Sequence, residues 1–521
     1  MKRRLVLMLL LIIGSNTFAQ ETMLTKKQMY KDFDQLVKII EDCNVQLPVR
    51  KAVTGYDNLA EIKKLRKQLD TVTCNWGFQS IIGYALRNVM DDHSVRTGDY
   101  YAGYENLDGI DTNYLNMENE KRMERMQKEY EKQIERLRSK EPIEDVIQTD
   151  FPIPITYYKN GYYIIGQSKY ISKDKRDTLD IHFMKILSYN GQDIHQYAKE
   201  NNFATRWDYN NKSFYLTRLY LPNQGILKVE DHNKVYEINI DNYNTNTPGW
   251  GSAGTRSVKL EGVPELKDGI SYNARKEVEF FEKDSILFVF LQSMMDDDTS
   301  FYDKIKEVGK GKVIKKIVID VRGNRGGDDY VWHNTLKAII KDSIPFDIKL
   351  AYNDTKIMRN KLKEHDKATT TEKISWLGNK KYRIISDNDC LVADSNSLQY
   401  EGKIYILYNG ATFSAAHSLV TYAEYLDQLV SVGYSTGKMV GFGLMPSLFQ
   451  LRYSKFTFRL ACTMDVTNCT KPIDVYHDFP EIEVNPTIEE DLVCPMSIYD
   501  TKSIEFLYKY DTWFKKVLEL E

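Results

Sequence analysis

The chain is poor in cysteine, with six in 521 residues. So few cysteines cannot build a fold of this length through disulfides. No two are spaced as Cys-x-x-Cys, which argues against a structural zinc site. The spacing leaves room for two local disulfides. Cys43 with Cys74 would join two N-terminal helices, and Cys462 with Cys469 would close a hairpin.

The sequence also lacks an excess of charge of either sign. Its 71 basic and 74 acidic residues give a net charge of −3. This balance gives no indication of a nucleic-acid partner. The phosphate-binding pattern Gly-x-x-x-x-Gly-Lys-Ser/Thr is missing from its glycine-rich strand end. The histidines show no metal-ligand spacing, so neither a metal nor another cofactor is predicted.

Long apolar runs are absent after the first residues, where the pattern is that of a secretory signal peptide. Residues 2–4 are basic, residues 5–13 are apolar, and a small, polar stretch ends at Ala19. This pattern predicts cleavage after Ala19 or Gln20 and an exported protein, periplasmic or secreted. No cysteine lies near the cleavage site to carry a lipid. No later run of 18 apolar residues predicts a membrane span.

The remaining chain is too long for a single core. Helix-period apolar residues predict an N-terminal helical bundle with helices at 26–43, 58–69 and 77–90. Strands with an Asn190-Gly191 turn follow, and then buried strands alternate with helices. The predicted organisation is a signal peptide (1–20), a helical region (21–150), a β-rich module (151–245), an α/β domain (265–500) and a C-terminal helix (501–521).

One serine stands at the junction of a strand and a helix. Ser414 has small neighbours, follows an apolar strand at 403–408 and precedes a run of helix formers. The N-terminus of a helix stabilises negative charge, and small neighbours let a substrate backbone approach. Ser414 is therefore a candidate nucleophile. The alternative is a turn that serves packing alone.

Glycines follow a second buried strand, predicted at 313–321. Gly326 and Gly327 permit positive φ and expose backbone N–H groups that can form an oxyanion hole, although a tight turn is the simpler reading. Lys438 lies one strand–helix repeat after Ser414. A lysine in a dry site can lose its proton and serve a serine as base, whereas most lysines lie on the surface.

These segments, in this order, resemble the tail-specific, or C-terminal processing, serine peptidases. That family is related to the tricorn core protease and has a ClpP/crotonase-like core. The resemblance rests on Asp-Val-Arg-Gly-Asn-Arg-Gly-Gly, Asn-Gly-Ala-Thr-Phe-Ser-Ala and Gly-Tyr-Ser-Thr-Gly. Asp-Asp-His-Ser at 91–94, a PDZ-like strand and turn at 186–194, and Asp-Phe-Pro-Glu-Ile-Glu-Val at 478–484 agree with it.

The resemblance implies that Ser414 is the nucleophile. It also implies that the N–H of Ala415 and that of Gly326 or Gly327 form the oxyanion hole. Two bases remain open. In one branch of the family a lysine serves, and Lys438 is the nearest match, although Thr436-Gly437-Lys438 is one residue shorter than that branch's motif.

In the other branch the base is a histidine, assisted by an acid. His93 and Asp474 would fill these roles here. The alternative for His93 is a structural role at the junction with the β-rich module. His417 occupies the position where the family often has a glutamate, three residues after the nucleophile, and is expected to pack or to cap.

The resemblance thus predicts a multidomain α/β protein in which a PDZ-like module and an N-terminal helical bundle accompany a ClpP/crotonase-like core. It implies an exported serine endopeptidase that acts on polypeptides, with the PDZ-like module presenting their C-termini. The alternative function is a ligand- or peptide-binding protein on the same fold, without proteolysis. The oligomeric state is not predicted.

Overall fold

A computed structural model describes residues 24–94, 153–244, 259–266, 276–435 and 446–520. Short gaps lie at 74, 92, 165–168, 173–177, 182, 201–204, 209–211, 217–218, 222–224, 232, 296–297 and 497–498. It is a mixed α/β structure with several sheets, as expected. Among the described residues, no helix combines the length and the apolar character needed to cross a membrane.

The N-terminal part is helical, as predicted. The first helix occupies the predicted residues, begins at a capping box between Thr25 and Gln28, and buries Met29, Phe33 and Leu36 on one face. The α-helices here are Lys26–Cys43, Leu47–Thr54, Asn58–Lys64 and Asn75–Arg87, and Leu65–Thr71 is a 3-10 helix.

The β-rich module has a seven-stranded sheet and two small ones. The predicted turn is confirmed, since Asn190 and Gly191 both have positive φ and join paired strands, as a two-residue hairpin requires. The large sheet comprises Ile153–Tyr158, Gly161–Ile164, Lys185–Tyr189, Gln192–Asp193, Leu219–Leu221, Ile226–Asp231 and Lys234–Asn239. The small sheets comprise Lys169–Ser172, Thr178–Asp180 and Tyr243–Asn244, and Thr205–Asp208 with Ser213–Leu216. The module also contains the helix Ile194–Glu200 and the 3-10 helix Ile240–Asn242.

A six-stranded sheet forms the centre of the molecule. Its first two strands are antiparallel, and all later neighbours are parallel. We call it the parallel sheet. In spatial order its strands are Lys276–Phe281, Ile286–Leu291, Lys316–Asp320, Ile404–Leu407, Leu429–Gly433 and Ile482–Glu483.

Helices cover both faces of the parallel sheet. Apolar side chains of three helices that connect strands pack on one face, and two C-terminal helices pack on the other. Two faces covered by helices explain why strand Ile286–Leu291 is buried along its whole length and reads as a continuous apolar run. The helices are Thr299–Gly309, Asp329–Lys337 and Ala415–Tyr422 on one face, and Ile504–Lys509 and Thr512–Glu519 on the other.

A second, antiparallel sheet, not identified from the sequence, joins the N-terminal helices to the parallel sheet. Its side chains share a core with Met29, Phe33 and Leu36 of the first helix. In spatial order its strands are Thr369–Lys373, Lys381–Leu391, Ile344–Asn353 and Thr463–Asp465. Nearby elements are the hairpin Ser447–Gln450 with Thr457–Leu460, helix Lys356–Lys361, and the 3-10 helices Lys363–Ala368, Ser375–Leu377 and Pro472–Tyr476. The π-helix Glu489–Val493 and the 3-10 helix Cys494–Met496 follow the last strand of the parallel sheet.

The cysteines do not pair as expected. Cys462 and Cys469 are free thiols, so the predicted disulfide between them is wrong. The physical reason is that the two side chains lie in different surroundings. Cys462 lies in the apolar core beside the thiol of Cys43, whereas Cys469 faces His477. Cys43 is also a free thiol, and its predicted partner Cys74 lies outside the described residues.

Candidate active site

Ser414 lies at the carboxyl end of the parallel sheet. It follows strand Ile404–Leu407 and is the N-cap of helix Ala415–Tyr422. Its φ of 56° is unusual for a residue with a side chain, and a backbone in such a region is held by its surroundings at a cost of about 1–3 kcal/mol. Its hydroxyl does not cap the helix. The Oγ atom is therefore available for chemistry.

His93 reaches this serine from a distant part of the sequence. Its Nε2 atom lies 3.2 Å from Ser414 Oγ, within hydrogen-bonding reach. The histidine is 6% exposed, and its ring stacks on that of Phe413, with centroids 4.4 Å apart and planes 22° apart. The structure thus brings together a strained serine and a buried imidazole, which are the groups needed for nucleophilic catalysis.

The segment that carries His93 is fixed by hydrogen bonds to its neighbours. The backbone N–H groups of His93 and Ser94 both donate to Asp91 Oδ1. The Ser94 hydroxyl donates to Asp91 Oδ2 at 2.6 Å and accepts from the N–H of Ala461 at 3.0 Å. Because Ala461 follows strand Thr457–Leu460, these bonds attach His93 to the hairpin beside the antiparallel sheet.

The segment 322–327, which we call the glycine loop, passes directly against Ser414. A Cβ atom added to Gly326 would come 2.6 Å from Ser414 Cβ and 2.8 Å from the N atom of Ala415. Gly326 has φ of 90° and Gly327 has φ of 149°, both in the region that favours glycine. No larger residue would let these two loops approach as closely.

The N–H groups of the two glycines differ in whether they already have an acceptor. Gly326 donates its N–H to Asn324 Oδ1 at 2.8 Å, so that group already has an acceptor. The N–H of Gly327 has no acceptor in the part of the chain that the structure describes. Ala415 is the first residue of its helix, where N–H groups lack helical partners. Gly327 and Ala415 are therefore the better candidates for the oxyanion hole, and Gly326 provides the space.

Asn324 holds the glycine loop against the neighbouring segments. The fully buried side chain of Asn324 also donates to the carbonyl oxygen of Leu291 at 2.7 Å, and the backbone carbonyl oxygen of Asn324 accepts from the N–H of Phe413 at 2.9 Å. One residue thus joins two strand ends and the residue before Ser414. The sequence analysis placed Asn324 within a motif and did not identify this role.

Asn409 holds the serine loop from the other side. Its Oδ1 atom accepts from the N–H of Gly323, and its Nδ2 donates to Asp491 Oδ1 at 2.7 Å. The hydroxyl of Tyr434 donates to the same carboxylate and accepts from the N–H of Gly410. Burial raises the pKa of Asp491, an effect that the hydrogen bonds from Tyr434 and Asn409 oppose.

Charged side chains below the glycine loop form a buried network. Asp320 accepts two side-chain hydrogen bonds from Arg322 and one from Lys502. Arg322 also pairs with Asp511 at 2.7 Å. Burial alone would raise the pKa of Asp320, but the charges of Arg322 and Lys502 hold it well below its usual range. The network attaches the C-terminal segment to the end of strand Lys316–Asp320.

The other predicted site residues are not part of this arrangement. Asp474 accepts hydrogen bonds from Thr470 and Lys471 at the start of a 3-10 helix and does not contact His93, so the structure does not support its role as the acid. Lys438 lies within 436–445, outside the described residues. His417 is fully buried and approaches Asp478, with Nε2 3.3 Å from Oδ1, in agreement with a packing role.

Comparisons with known proteins report one family match and several similar structures. Residues 285–484 match the model of peptidase family S41. Mature CPAF has a similar structure, with a TM-score of 0.52 and 13% identity over 93% of this chain and 97% of that one. The photosystem II D1 C-terminal processing protease aligns with a TM-score of 0.36 and 12% identity, over 91% of this chain and 98% of that one.

No curated protein matches the chain significantly in sequence. The likeness to mature CPAF supports a shared fold, and the family match covers the strand ends that carry the glycine loop and Ser414. The match of residues 285–484 is thus to peptidase family S41, a family of serine peptidases, and the protein is a serine-type peptidase.

Proposed function

We propose that the protein is an exported endopeptidase in which Ser414 is the nucleophile and His93 the general base. The observation that carries this proposal is the distance of 3.2 Å between Ser414 Oγ and His93 Nε2, two atoms supplied by segments far apart in sequence. Neither segment needs this contact for its own secondary structure. The strained backbone of Ser414 and its uncapped helix point to a role in catalysis.

The chemistry follows from the positions of these groups. His93 Nε2 takes the proton as Ser414 Oγ bonds to the scissile carbonyl carbon, and the carbonyl electrons move onto oxygen. The N–H groups of Gly327 and Ala415 stabilise this oxyanion. The protonated histidine then gives its proton to the leaving amine as the C–N bond breaks. His93 next takes a proton from water as the water oxygen bonds to the acyl carbon, and it returns the proton to Ser414 Oγ as the ester bond breaks.

Three alanine variants test this proposal with fluorescein-labelled casein and a serine-directed fluorophosphonate. We expect Ser414→Ala to lose both hydrolysis and labelling, and Ser418→Ala, one turn along the same helix, to keep them. His93→Ala should lower kcat by at least about 10³-fold, as loss of a catalytic base does. Equal activity of Ser414→Ala and wild type would overturn the proposal.

The same experiment decides between the two bases. If His93 is the base, Lys438→Ala should keep kcat within about tenfold of wild type, since it removes no reacting group. A loss of about 10³-fold in Lys438→Ala, with little loss in His93→Ala, would assign the role to the lysine. Unfolding curves of both variants separate a catalytic loss from a folding defect.

Polypeptides are the proposed substrates, and their C-termini the proposed recognition element. The β-rich module contacts the segment after the last strand of the parallel sheet, since the Tyr158 hydroxyl lies 3.0 Å from the carbonyl oxygen of Pro486. Such a module can bind an extended peptide along a sheet edge. Cleavage of matched peptides that end in a carboxylate or an amide tests this preference. Equal rates would exclude it.

Export is proposed from the N-terminal sequence pattern. N-terminal sequencing of the protein purified from a bacterial periplasm tests it. We expect a mature chain that begins at residue 20 or 21. A chain that still carries residues 1–19 would contradict the proposal.

A further inference from the structure

The ring of Phe413 packs directly against the imidazole of the proposed base. Its ring lies over one face of the His93 imidazole, with centroids 4.4 Å apart and planes 22° apart. The edge of the same imidazole points at Ser414, with Nε2 3.2 Å from Oγ. A π face and the nucleophile therefore contact one imidazole, and they come from consecutive residues.

The backbone of Phe413 is fixed with respect to both loops of the site. Its N–H donates to the carbonyl oxygen of Asn324 at 2.9 Å, and its own carbonyl oxygen borders the space kept open by Gly326. The hydroxyl of the preceding Thr412 donates to the carbonyl oxygen of Val321 at 2.9 Å. The aromatic ring is thus placed together with the nucleophile and does not depend on the substrate for its position.

The charge on His93 changes during the reaction that we propose. The imidazole is neutral before attack and becomes a cation when the proton passes from Ser414 Oγ to Nε2 as the bond between Oγ and the carbonyl carbon forms. The face of an aromatic ring attracts a cation held within about 6 Å of its centroid. An interaction that is stronger for the cation than for the neutral ring lowers the barrier, because the cation develops in the transition state.

We infer that Phe413 is a positioning residue, which holds the imidazole of His93 and stabilises its protonated form while Ser414 attacks. The inference rests on the proposed function, in which His93 is the base. Replacement of the ring by an aliphatic side chain removes both the stacking and the electrostatic attraction. Gradual withdrawal of electrons from the ring removes only the attraction, because fluorine differs little in size from hydrogen.

A fluorination series at position 413 therefore tests the inference. Phenylalanine is replaced by its mono-, di- and trifluorinated forms in the full chain, and kcat and KM are measured with fluorescein-labelled casein. We expect kcat to fall at each step, to a total of about 3- to 30-fold, with KM unchanged. Phe413→Tyr, which keeps an electron-rich ring, should retain most of the activity, whereas Phe413→Leu should lose at least as much as the trifluoro form.

Two results would overturn the inference. One is a constant kcat across the fluorinated series, even if Phe413→Leu is slow, because packing alone would then explain the contact. The other is a parallel rise of KM, which would assign the ring to substrate binding. If the proposed function itself were wrong, Ser414→Ala or His93→Ala would hydrolyse casein as wild type does. The two failures can therefore be told apart.

Discussion

The nucleophile and the proposed base are held by two regions that are built differently. Ser414 and the glycine loop extend from adjacent strands of the parallel sheet, and buried polar side chains attach them to each other. His93 extends from the N-terminal helical region and is attached through Ser94 to a hairpin. We call these the nucleophile side and the base side. The first is supported by buried charges and amides, the second mainly by apolar packing.

The two sides meet two different requirements of the site. The oxyanion hole and the strained serine need positions fixed to within a fraction of an ångström, and short hydrogen bonds between strand ends provide them. The base side brings the loop of His93 to the serine through the packing of whole helices. We therefore expect damage to the nucleophile side to affect both folding and chemistry. Damage to the base side should affect catalysis only where it reaches the loop of residues 91–94.

The largest effect is expected for Asp320→Asn on the nucleophile side. The substitution removes one partner from a buried charge network and leaves Lys502 and Arg322 incompletely paired. Such a loss costs about 3–5 kcal/mol in the free energy of unfolding. Urea unfolding monitored by circular dichroism measures it. Asp303→Asn is the control and should change little, because the Asp303 carboxylate is exposed and its partner Lys306 also pairs with Asp394.

The low pKa of the Asp320 carboxyl group predicts that the free energy of unfolding depends on pH. Its pKa is lower in the folded chain than the value of about 3.9 expected in the unfolded chain. Its contribution to the free energy of unfolding is therefore complete above the pKa of the unfolded chain. It is lost as the pH falls through the pKa of the folded chain. We expect wild type to lose stability more steeply than Asp320→Asn below about pH 4. Parallel curves for the two proteins would contradict this.

The next effect concerns Gly326→Ala. The added Cβ would lie 2.6 Å from Ser414 Cβ, and φ of 90° is itself unfavourable for alanine. We expect kcat to fall about 10²- to 10³-fold, as when an oxyanion donor is lost, and fluorophosphonate labelling to slow with it. Gly311→Ala is a matched control, since Gly311 has φ of 71° but open space where an added Cβ would lie. Similar activity of the two variants would show that the close approach is unimportant.

Local features of both sides could be predicted from the sequence. Apolar periodicity predicted the helix Lys26–Cys43, and an apolar run predicted the strand that ends before the glycines, which the structure places at Lys316–Asp320. The small residues around Ser414 indicated a strand-to-helix junction, which the structure confirms. Each of these patterns shows which face of a single helix or strand is buried. That information is contained in the sequence of the element itself, as the spacing of its apolar residues.

Contacts between segments that are far apart in the sequence could not be predicted from such patterns. Whether His93 meets Ser414 depends on the packing of the N-terminal helices on the antiparallel sheet, and no periodicity records that packing. The choice between Gly326 and Gly327 depends on where one amide side chain points. Asp474 matched a family position in sequence, yet its carboxylate caps a local turn.

A smaller effect is expected for Ser94→Ala on the base side. The substitution removes the hydroxyl that joins Asp91 Oδ2 to the N–H of Ala461 and so loosens the loop of His93. Two hydrogen bonds lost at a largely buried site should cost about 1–2 kcal/mol in the free energy of unfolding. We expect kcat to fall about tenfold, because a displacement of the base by a fraction of an ångström weakens proton transfer. Unchanged kcat with lowered stability would show that the loop is held by other contacts.

The smallest effect is expected for Cys43→Ala, which also lies on the base side, but whose thiol contacts Cys462 and is not one of the groups that hydrogen-bond the loop of His93. The thiol is fully buried among apolar side chains beside Cys462, and its removal leaves a small cavity that should cost about 1 kcal/mol in the free energy of unfolding. Because residues 91–94 keep their hydrogen bonds, kcat should stay within about twofold of wild type. Measured beside Ser94→Ala, this variant separates the stability of the base side from the placement of its histidine. If kcat fell about tenfold in both variants, the packing of the N-terminal helices as a whole, and not the loop, would control the position of His93.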